Sequence, residues 1–409
     1  LKAADTLEAH TSDFVNTMAA ETGAAKPWAG LNVHLAAAML REAAALTTQI
    51  AGEVIPSDRP GCLAMAVRRP AGVVLGIAPW NAPVILGVRA LATPLACGNT
   101  VVLKASETCP ATHRLIGAIL REAGLPPGVV NVLTHAPADA AAIVATLIAH
   151  PAIRRINFTG STRIGRTIAR LAAEHLKPVL LELGGKAPLL VLDDADLDAA
   201  VAAAAFGAYM NSGQICMSTE RIVVEEKIAD EFVARFNAKV STLVAGDPAL
   251  GRTPLGSMID RSAADRVQEL VDDAVAKGAR LHQAALAKGT LLSAAVLDRV
   301  TPAMRIYAEE SFGPITTIVR AKDEAAAVRI ANDTEYGLSS AVFSRDVARA
   351  LRVAEQLETG MCHINGATVH DEAQMPFGGT KASGYGRFGG RAGIAEFTEL
   401  RWITIATQP

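Results

Sequence analysis

The chain has 409 residues, half of them hydrophobic and one fifth charged, which suits two or three domains with substantial cores in a soluble globular protein. Lys plus Arg number 39 against 41 Asp plus Glu, so no excess charge points to nucleic acid or an anionic membrane, and small molecules are the expected ligands. The five cysteines (Cys62, Cys97, Cys109, Cys216, Cys362) are too scattered for a CxxC pair and odd in number, which predicts no metal centre, no complete disulfide framework and a cytoplasmic setting.

The longest apolar runs, such as Ala199–Met210, are too short to span a bilayer, and no membrane segment is expected. The chain opens at Leu1, without Met, on an Ala-rich helical pattern that reads as the middle of a longer front end and not as a signal peptide. Residues 1 to 50 read as two or three amphipathic helices, for example Leu35–Gly52. Pro56, Pro60 and Gly61 break that pattern before a strand-like segment at Cys62–Val67, whose edge is expected to pair with another subunit.

From Gly72 onward, buried strands alternate with helices. Strands are expected at Gly72–Ala78, Thr100–Leu103, Val129–Leu133 and Ile153–Phe158, with helices at about Val84–Leu95, Ala111–Glu122 and Ala138–Ala149 between them. Such alternation implies a parallel sheet covered on both faces, with ligands at the carboxyl ends of its strands. The pattern restarts after Glu182–Gly185, where two glycines suggest a hinge between domains. A strand at Ala187–Leu192, a helix at Asp196–Met210 and a strand at Arg221–Val224 come next, with further units to about Gly386 and a strand-like tail at Glu399–Ala406 that could pair with 62–67.

The polar signatures fall at the expected strand ends. Gly160, Ser161 and Gly165 lie where a strand passes into a helix, and free N–H groups at such a helix start bind phosphate, although an ordinary Gly/Ser cap looks the same. Lys104 and Glu107 stand just past another strand; the carboxylate there can accept both hydroxyls of a ribose and repel a 2′-phosphate, while a solvated ion pair is the plainer reading. Glu182 ends an apolar run, where partial loss of water raises a carboxyl's pKa toward that of a base useful near neutrality, or where it simply caps a turn. Cys216, in Asn211-Ser212-Gly213-Gln214-Ile215-Cys216, is either a small buried hydrophobe or a nucleophile whose oxyanion product needs donors such as the Asn81 amide and the Cys216 N–H.

Taken together, Pro79-Trp80-Asn81, Leu103-Lys104-Ala105-Ser106-Glu107, Phe158-Thr159-Gly160-Ser161, Leu181-Glu182-Leu183-Gly184-Gly185-Lys186, Gly213-Gln214-Ile215-Cys216, Glu309-Glu310-Ser311-Phe312-Gly313-Pro314 and Pro376-Phe377-Gly378-Gly379 stand in the order seen in aldehyde dehydrogenases, which the whole chain resembles. The resemblance implies an α/β fold with a Rossmann-like parallel-sheet cofactor domain (1–52 and 71–182), a second α/β catalytic domain (183–396) and a small β oligomerisation element (53–70 and 397–406), assembled as a homodimer or homotetramer. It implies Cys216 as nucleophile, Glu182 as base 34 residues earlier and Asn81 as oxyanion donor, with Trp80, Lys104, Glu107, Gly160, Ser161, Gly165, Glu310 and Phe312 holding NAD in preference to NADP. Glu182 sets the chain apart from CoA-acylating members, which lack this base. Ser311 departs from the aliphatic residue more often found between Glu310 and Phe312.

The stretches 211–221 and 363–372 are similar to those of salicylaldehyde, vanillin and benzaldehyde dehydrogenases, salicylaldehyde dehydrogenase foremost, and imply an aromatic aldehyde as substrate. Met210, Ile215 and Met217 would supply apolar bulk around a flat ring. Arg89, about two helical turns after Asn81, is expected on the same helix face at the substrate mouth, meeting a ring hydroxyl; an arginine at the domain surface fits equally. The alternatives are a semialdehyde or aliphatic aldehyde dehydrogenase, or a fold relative without catalysis.

Overall fold

The computed structural model describes residues 1–251, 253–283 and 287–406. Two parallel sheets organise it. The first has the strand order 384–385, 179–182, 153–159, 73–77, 100–104, 130–133, parallel except at Gly384–Tyr385, which runs antiparallel to Val179–Glu182. Alternate residues feed its two faces: Val74, Val101 and Leu103 pack under the N-terminal helices, while Leu75, Ile77, Ile156 and Phe158 pack under helices 140–149 and 162–174. Chain order reverses at Val73–Ile77, which has Thr100–Lys104 on one side and Ile153–Thr159 on the other. In open α/β sheets the crevice beyond the carboxyl ends at such a reversal is where ligands bind.

The second sheet has the order 280–282, 295–298, 315–321, 219–225, 187–191, 339–343, 361–364, and only its first pair is antiparallel. The chain crosses from the first sheet to the second through Leu183–Lys186. There Gly185 backs directly onto the nucleophile segment: a Cβ on it would lie 2.3 Å from the Cys216 carbonyl oxygen, so only glycine allows this approach.

Three helices, Lys2–Ala9, Thr11–Thr22 and Lys26–Leu46, open the chain, the third starting nine residues before the expected Leu35 with Pro27 in its first turn. The single helix expected over 84–95 is two, Pro83–Arg89 and Ala92–Ala96. Pro94 has no N–H to give the Ala90 carbonyl, which instead accepts from Asn157 Nδ2 at 3.1 Å, tying the break to the central strands.

A third, antiparallel sheet joins 53–55, 62–70 and 398–406, with the tail paired to 62–70 from Cys62↔Ala406 to Pro70↔Thr398. The segment at 62–70 is therefore the middle strand, paired on both sides. The open edges expected of it belong to Glu53–Ile55 and Thr398–Ala406. Among the described residues no helix is long and apolar enough to cross a membrane.

Candidate active site

A cavity of about 290 Å³ opens beyond the carboxyl ends of the first sheet, where the two sheets meet. Asn81, Glu182 and Cys216 line it together with Trp80, Gly160, Ser161, Glu310 and Phe312, so eight residues singled out from sequence converge on one space.

The segment that delivers Cys216 is strained. After helix Leu197–Tyr209, whose N-cap Asp196 accepts from the N–H groups of Asp198 and Ala199, the chain enters the left-handed region at Asn211 (φ 50°), Ser212 (φ 54°) and Gly213 (φ 73°). Two such non-glycine residues cost roughly 1–3 kcal/mol each and persist only where surroundings fix them. Here they do. Asn211 Nδ2 donates to the Asn81 carbonyl (3.0 Å), Ser212 Oγ to the Gly256 carbonyl (3.1 Å), and Gln214 bridges to Ser257 and Ile259 through both ends of its amide. A Cβ on Gly213 would sit 1.9 Å from the Gly313 carbonyl, so the loop closes only with glycine.

This scaffold leaves donors free beside the thiol. Asn81 Nδ2 gives one amide hydrogen to the Gln214 carbonyl at 3.0 Å and keeps a second, and its own backbone carbonyl is held by Trp28 Nε1 at 2.9 Å. Among the described residues the Cys216 N–H has no protein acceptor. Cys216 is partly exposed and packs against an apolar cluster that includes Leu86, Ile215, Met217 and Phe377.

Glu182 is 1 % exposed, and neither carboxylate oxygen has a hydrogen-bond partner among the described residues. Burial pushes its pKa up to about 7, against the downward pull of the Cys216 thiol and the Arg89 guanidinium. Burial, then the neighbouring Glu182 charge, pushes the Cys216 thiol well up. Two groups that resist ionising together, on one cavity wall, can pass a proton between them.

The cavity lining also presents rings and a helix start. The rings of Trp80 and Phe312 meet edge to face, 5.8 Å between centroids and 84° between planes. Glu310 accepts from the Gly185 N–H at 2.9 Å, and burial raises its carboxyl to about 8. Ser161 caps helix Thr162–Glu174 by accepting from the Ile164 N–H, which leaves the first-turn N–H groups toward the cavity side where Thr159 and Gly160 lie.

Several expected residues lie elsewhere. Lys104 and Glu107 form a 2.8 Å ion pair off the cavity wall, with Lys104 buried. Gly165, one turn inside its helix, faces Leu183 and not the cavity. Met210, Ile215 and Met217 belong to the apolar packing behind Cys216 and do not line this space. Asn81 precedes the helix that carries Arg89, so the two do not share a helix face. Arg89 is buried, not free at a mouth: its Nη2 pairs with Asp371 and its guanidinium lies 4.2 Å from the Phe377 ring centroid.

Sequence reading missed Leu86, Leu183 and Arg266 on the wall. Leu183 was signalled by standing next to Glu182; Arg266, on helix Arg261–Ala276, carried no signal, and reaches the site by donating to the Glu310 carbonyl at 2.8 Å.

The model of the aldehyde dehydrogenase family matches residues 1–403. A vanillin dehydrogenase of Pseudomonas fluorescens is 64% identical over 409 residues, all of this chain and 85% of that protein. A crystal structure of a salicylaldehyde dehydrogenase from Pseudomonas putida G7 complexed with salicylaldehyde superposes with a TM-score of 0.97 at 56% identity, covering 99% of this chain and 84% of that one. A betaine aldehyde dehydrogenase from Staphylococcus aureus in complex with NAD+ superposes with a TM-score of 0.95 at 31% identity, covering 100% and 81%. The vanillin relative is thus more similar than the salicylaldehyde one, the reverse of the order the motifs suggested.

Proposed function

The chain belongs to the aldehyde dehydrogenase family, and on that premise we propose that it oxidises an aromatic aldehyde of the vanillin and salicylaldehyde type to its carboxylic acid with NAD. The observation that carries this reading is a partly exposed thiol and an orphaned buried carboxylate on one cavity, beside two uncommitted N–H donors.

Cys216, its thiol proton lost to solvent, attacks the aldehyde carbon, and the Asn81 amide and Cys216 N–H take up the charge on oxygen. Several lining residues suit a dinucleotide: the N–H groups after Ser161 for phosphate, Glu310 for a ribose, and Trp80 and Phe312 for a flat ring. Bound NAD supplies the hydride acceptor. Loss of hydride leaves an acyl thioester on Cys216. Glu182 then takes a proton from water as its oxygen adds to the thioester carbon, and the acid departs with return of a proton to sulfur. Glu107 does not line the cavity, but it stands just past the carboxyl end of strand Thr100–Lys104, and a ribose held there would meet a carboxylate that repels a 2′-phosphate, which favours NAD over NADP.

The apolar side chains of Leu86 and Leu183 on the cavity lining and the relatives' substrates support the aromatic class. With vanillin, salicylaldehyde, benzaldehyde and a short aliphatic aldehyde, and no CoA, NADH absorbance should show about tenfold or greater preference in kcat/KM for the aromatic set. Equal efficiency with the aliphatic aldehyde would refute the aromatic assignment. No NADH from any of them, in folded protein, would refute the oxidation.

The domain roles belong to the same proposal: residues 1–52 and 71–182 for cofactor and 183–396 for catalysis. A homodimer or homotetramer built on the small sheet is supported by its open edges and by Trp402, 78% exposed on the tail strand. A cytoplasmic setting rests on the five unpaired thiols.

The raised Glu182 pKa gives a pH test. Only the ionised carboxylate can act as base, so decay of the acyl enzyme should slow about tenfold per pH unit below about 7 and level off above it. The stability dependence has the opposite sign. Burial favours the neutral carboxyl, so this contribution is fully present below the ordinary value of 4.5 and lost as pH rises through about 7. Acyl-enzyme decay that is flat from pH 5 to 8 would remove Glu182 from the role.

A further inference from the structure

Four residues after Glu182 stands Lys186, and four after Cys216 stands Glu220. Their side chains meet: Lys186 Nζ lies 2.7 Å from Glu220 Oε2, with 0% and 4% of the side chains exposed. Such a pair is costly to remove from water unless its remaining donors and lone pairs are satisfied. One short segment satisfies them. Lys186 Nζ also donates to the Glu309 carbonyl at 2.7 Å. Glu220 accepts from the N–H groups of Ser311 (2.9 Å) and Phe312 (3.1 Å), and the Ser311 hydroxyl lies 2.8 and 2.9 Å from its two oxygens.

This segment carries Glu310 and Phe312 into the cavity, and Phe312 holds a left-handed backbone (φ 50°). A bulky residue there persists only where its surroundings over-determine it. The Glu220 carboxylate, gripping the N–H of Phe312 and both the N–H and hydroxyl of Ser311, supplies that determination. The nucleophile is fixed by other contacts, those of Asn211, Ser212 and Gln214.

We propose that Glu220, anchored by Lys186 and engaged by Ser311, is a positioning residue that sets the geometry of the cofactor-facing segment Glu310–Phe312, separately from the attack by Cys216. The proposal rests on NAD-linked oxidation as the function. Ser311 supplies by its hydroxyl a contact to both oxygens of the buried carboxylate that an aliphatic side chain at this position could not make.

The test compares wild type with Ser311→Ala and Glu220→Gln in two assays. One is aldehyde oxidation with NAD, using aldehyde deuterated at its carbonyl carbon as a second substrate. The other is cofactor-free hydrolysis of p-nitrophenyl acetate, which needs Cys216, Asn81 and Glu182 only. For Ser311→Ala the expected result is a severalfold higher KM for NAD, hydride transfer slowed about tenfold, and a deuterium isotope effect larger than in wild type, as misplacement of a positioned group predicts. Ester hydrolysis should stay within about twofold. Glu220→Gln should act in the same direction and more strongly, because it leaves Lys186 buried and unpaired. The positioning role is overturned if Ser311→Ala changes neither assay, or lowers both by the same factor, whatever Glu220→Gln does to folding. Wild type that cleaves the ester yet forms no NADH overturns the oxidation reading, and this proposal with it.

Discussion

Cys216→Ala is expected to lower aldehyde oxidation by on the order of 10⁴-fold or more while leaving NAD binding nearly intact, because no other thiol lines the cavity to form the thioester. The remaining wall offers an amide, carboxylates, rings, an arginine and the Thr159 and Ser161 hydroxyls, of which Ser161 caps helix Thr162–Glu174, and it holds no second thiol. The fold should tolerate the change. Cys216 is only partly buried, and the left-handed turn before it is held by Asn211, Ser212 and Gln214, none of which bonds to the thiol. Fluorescence titration of NAD and a thermal melt alongside the rate assay separate loss of chemistry from loss of structure. Residual activity within about tenfold of wild type would show that the nucleophile is elsewhere.

Glu182→Gln should produce a different failure. The amide keeps the shape of the side chain and removes the base, so the first hydride leaves normally and the thioester then accumulates. Stopped-flow absorbance should show a burst of about one NADH per active site and then turnover reduced about 10²- to 10⁴-fold, the usual range for a lost general base. Wild type, with its carboxyl near pH 7, should show a smaller burst that grows as the pH is lowered. Loss of the burst together with the steady state would instead place Glu182 before hydride transfer, as the group that takes the thiol proton.

The range of each interaction decides whether the sequence betrays it. Strands such as Val73–Ile77 and Ile153–Thr159 announce themselves as apolar runs with turn residues behind them, and residues at or just beyond the strand ends line the cavity, so the positions of Trp80, Asn81, Gly160 and Glu182 were legible. The break at Ala90 was in principle legible from Pro94, since a proline cannot serve the carbonyl four residues back. Arg89 was not. Its partner Asp371 is 282 positions away, and periodicity gives no hint that the guanidinium is buried against Phe377. Glu220 carries no mark of its own in the sequence, because Lys186 and Ser311, the partners that give it a role, stand 34 and 91 positions away. The central pairing of Cys62–Pro70 likewise depends on a short strand at Glu53–Ile55 whose sequence, between a helix and two prolines, has no alternation to mark it.

The most direct test of the central claim is intact-mass analysis, with peptide mapping, of Glu182→Gln mixed with vanillin and NAD and quenched in acid. The expected product is a single vanilloyl adduct on Cys216, equal in amount to the NADH of the burst and absent when NAD is omitted. NADH formed without an adduct, or an adduct on Cys62, Cys97, Cys109 or Cys362, would contradict oxidation through a Cys216 thioester.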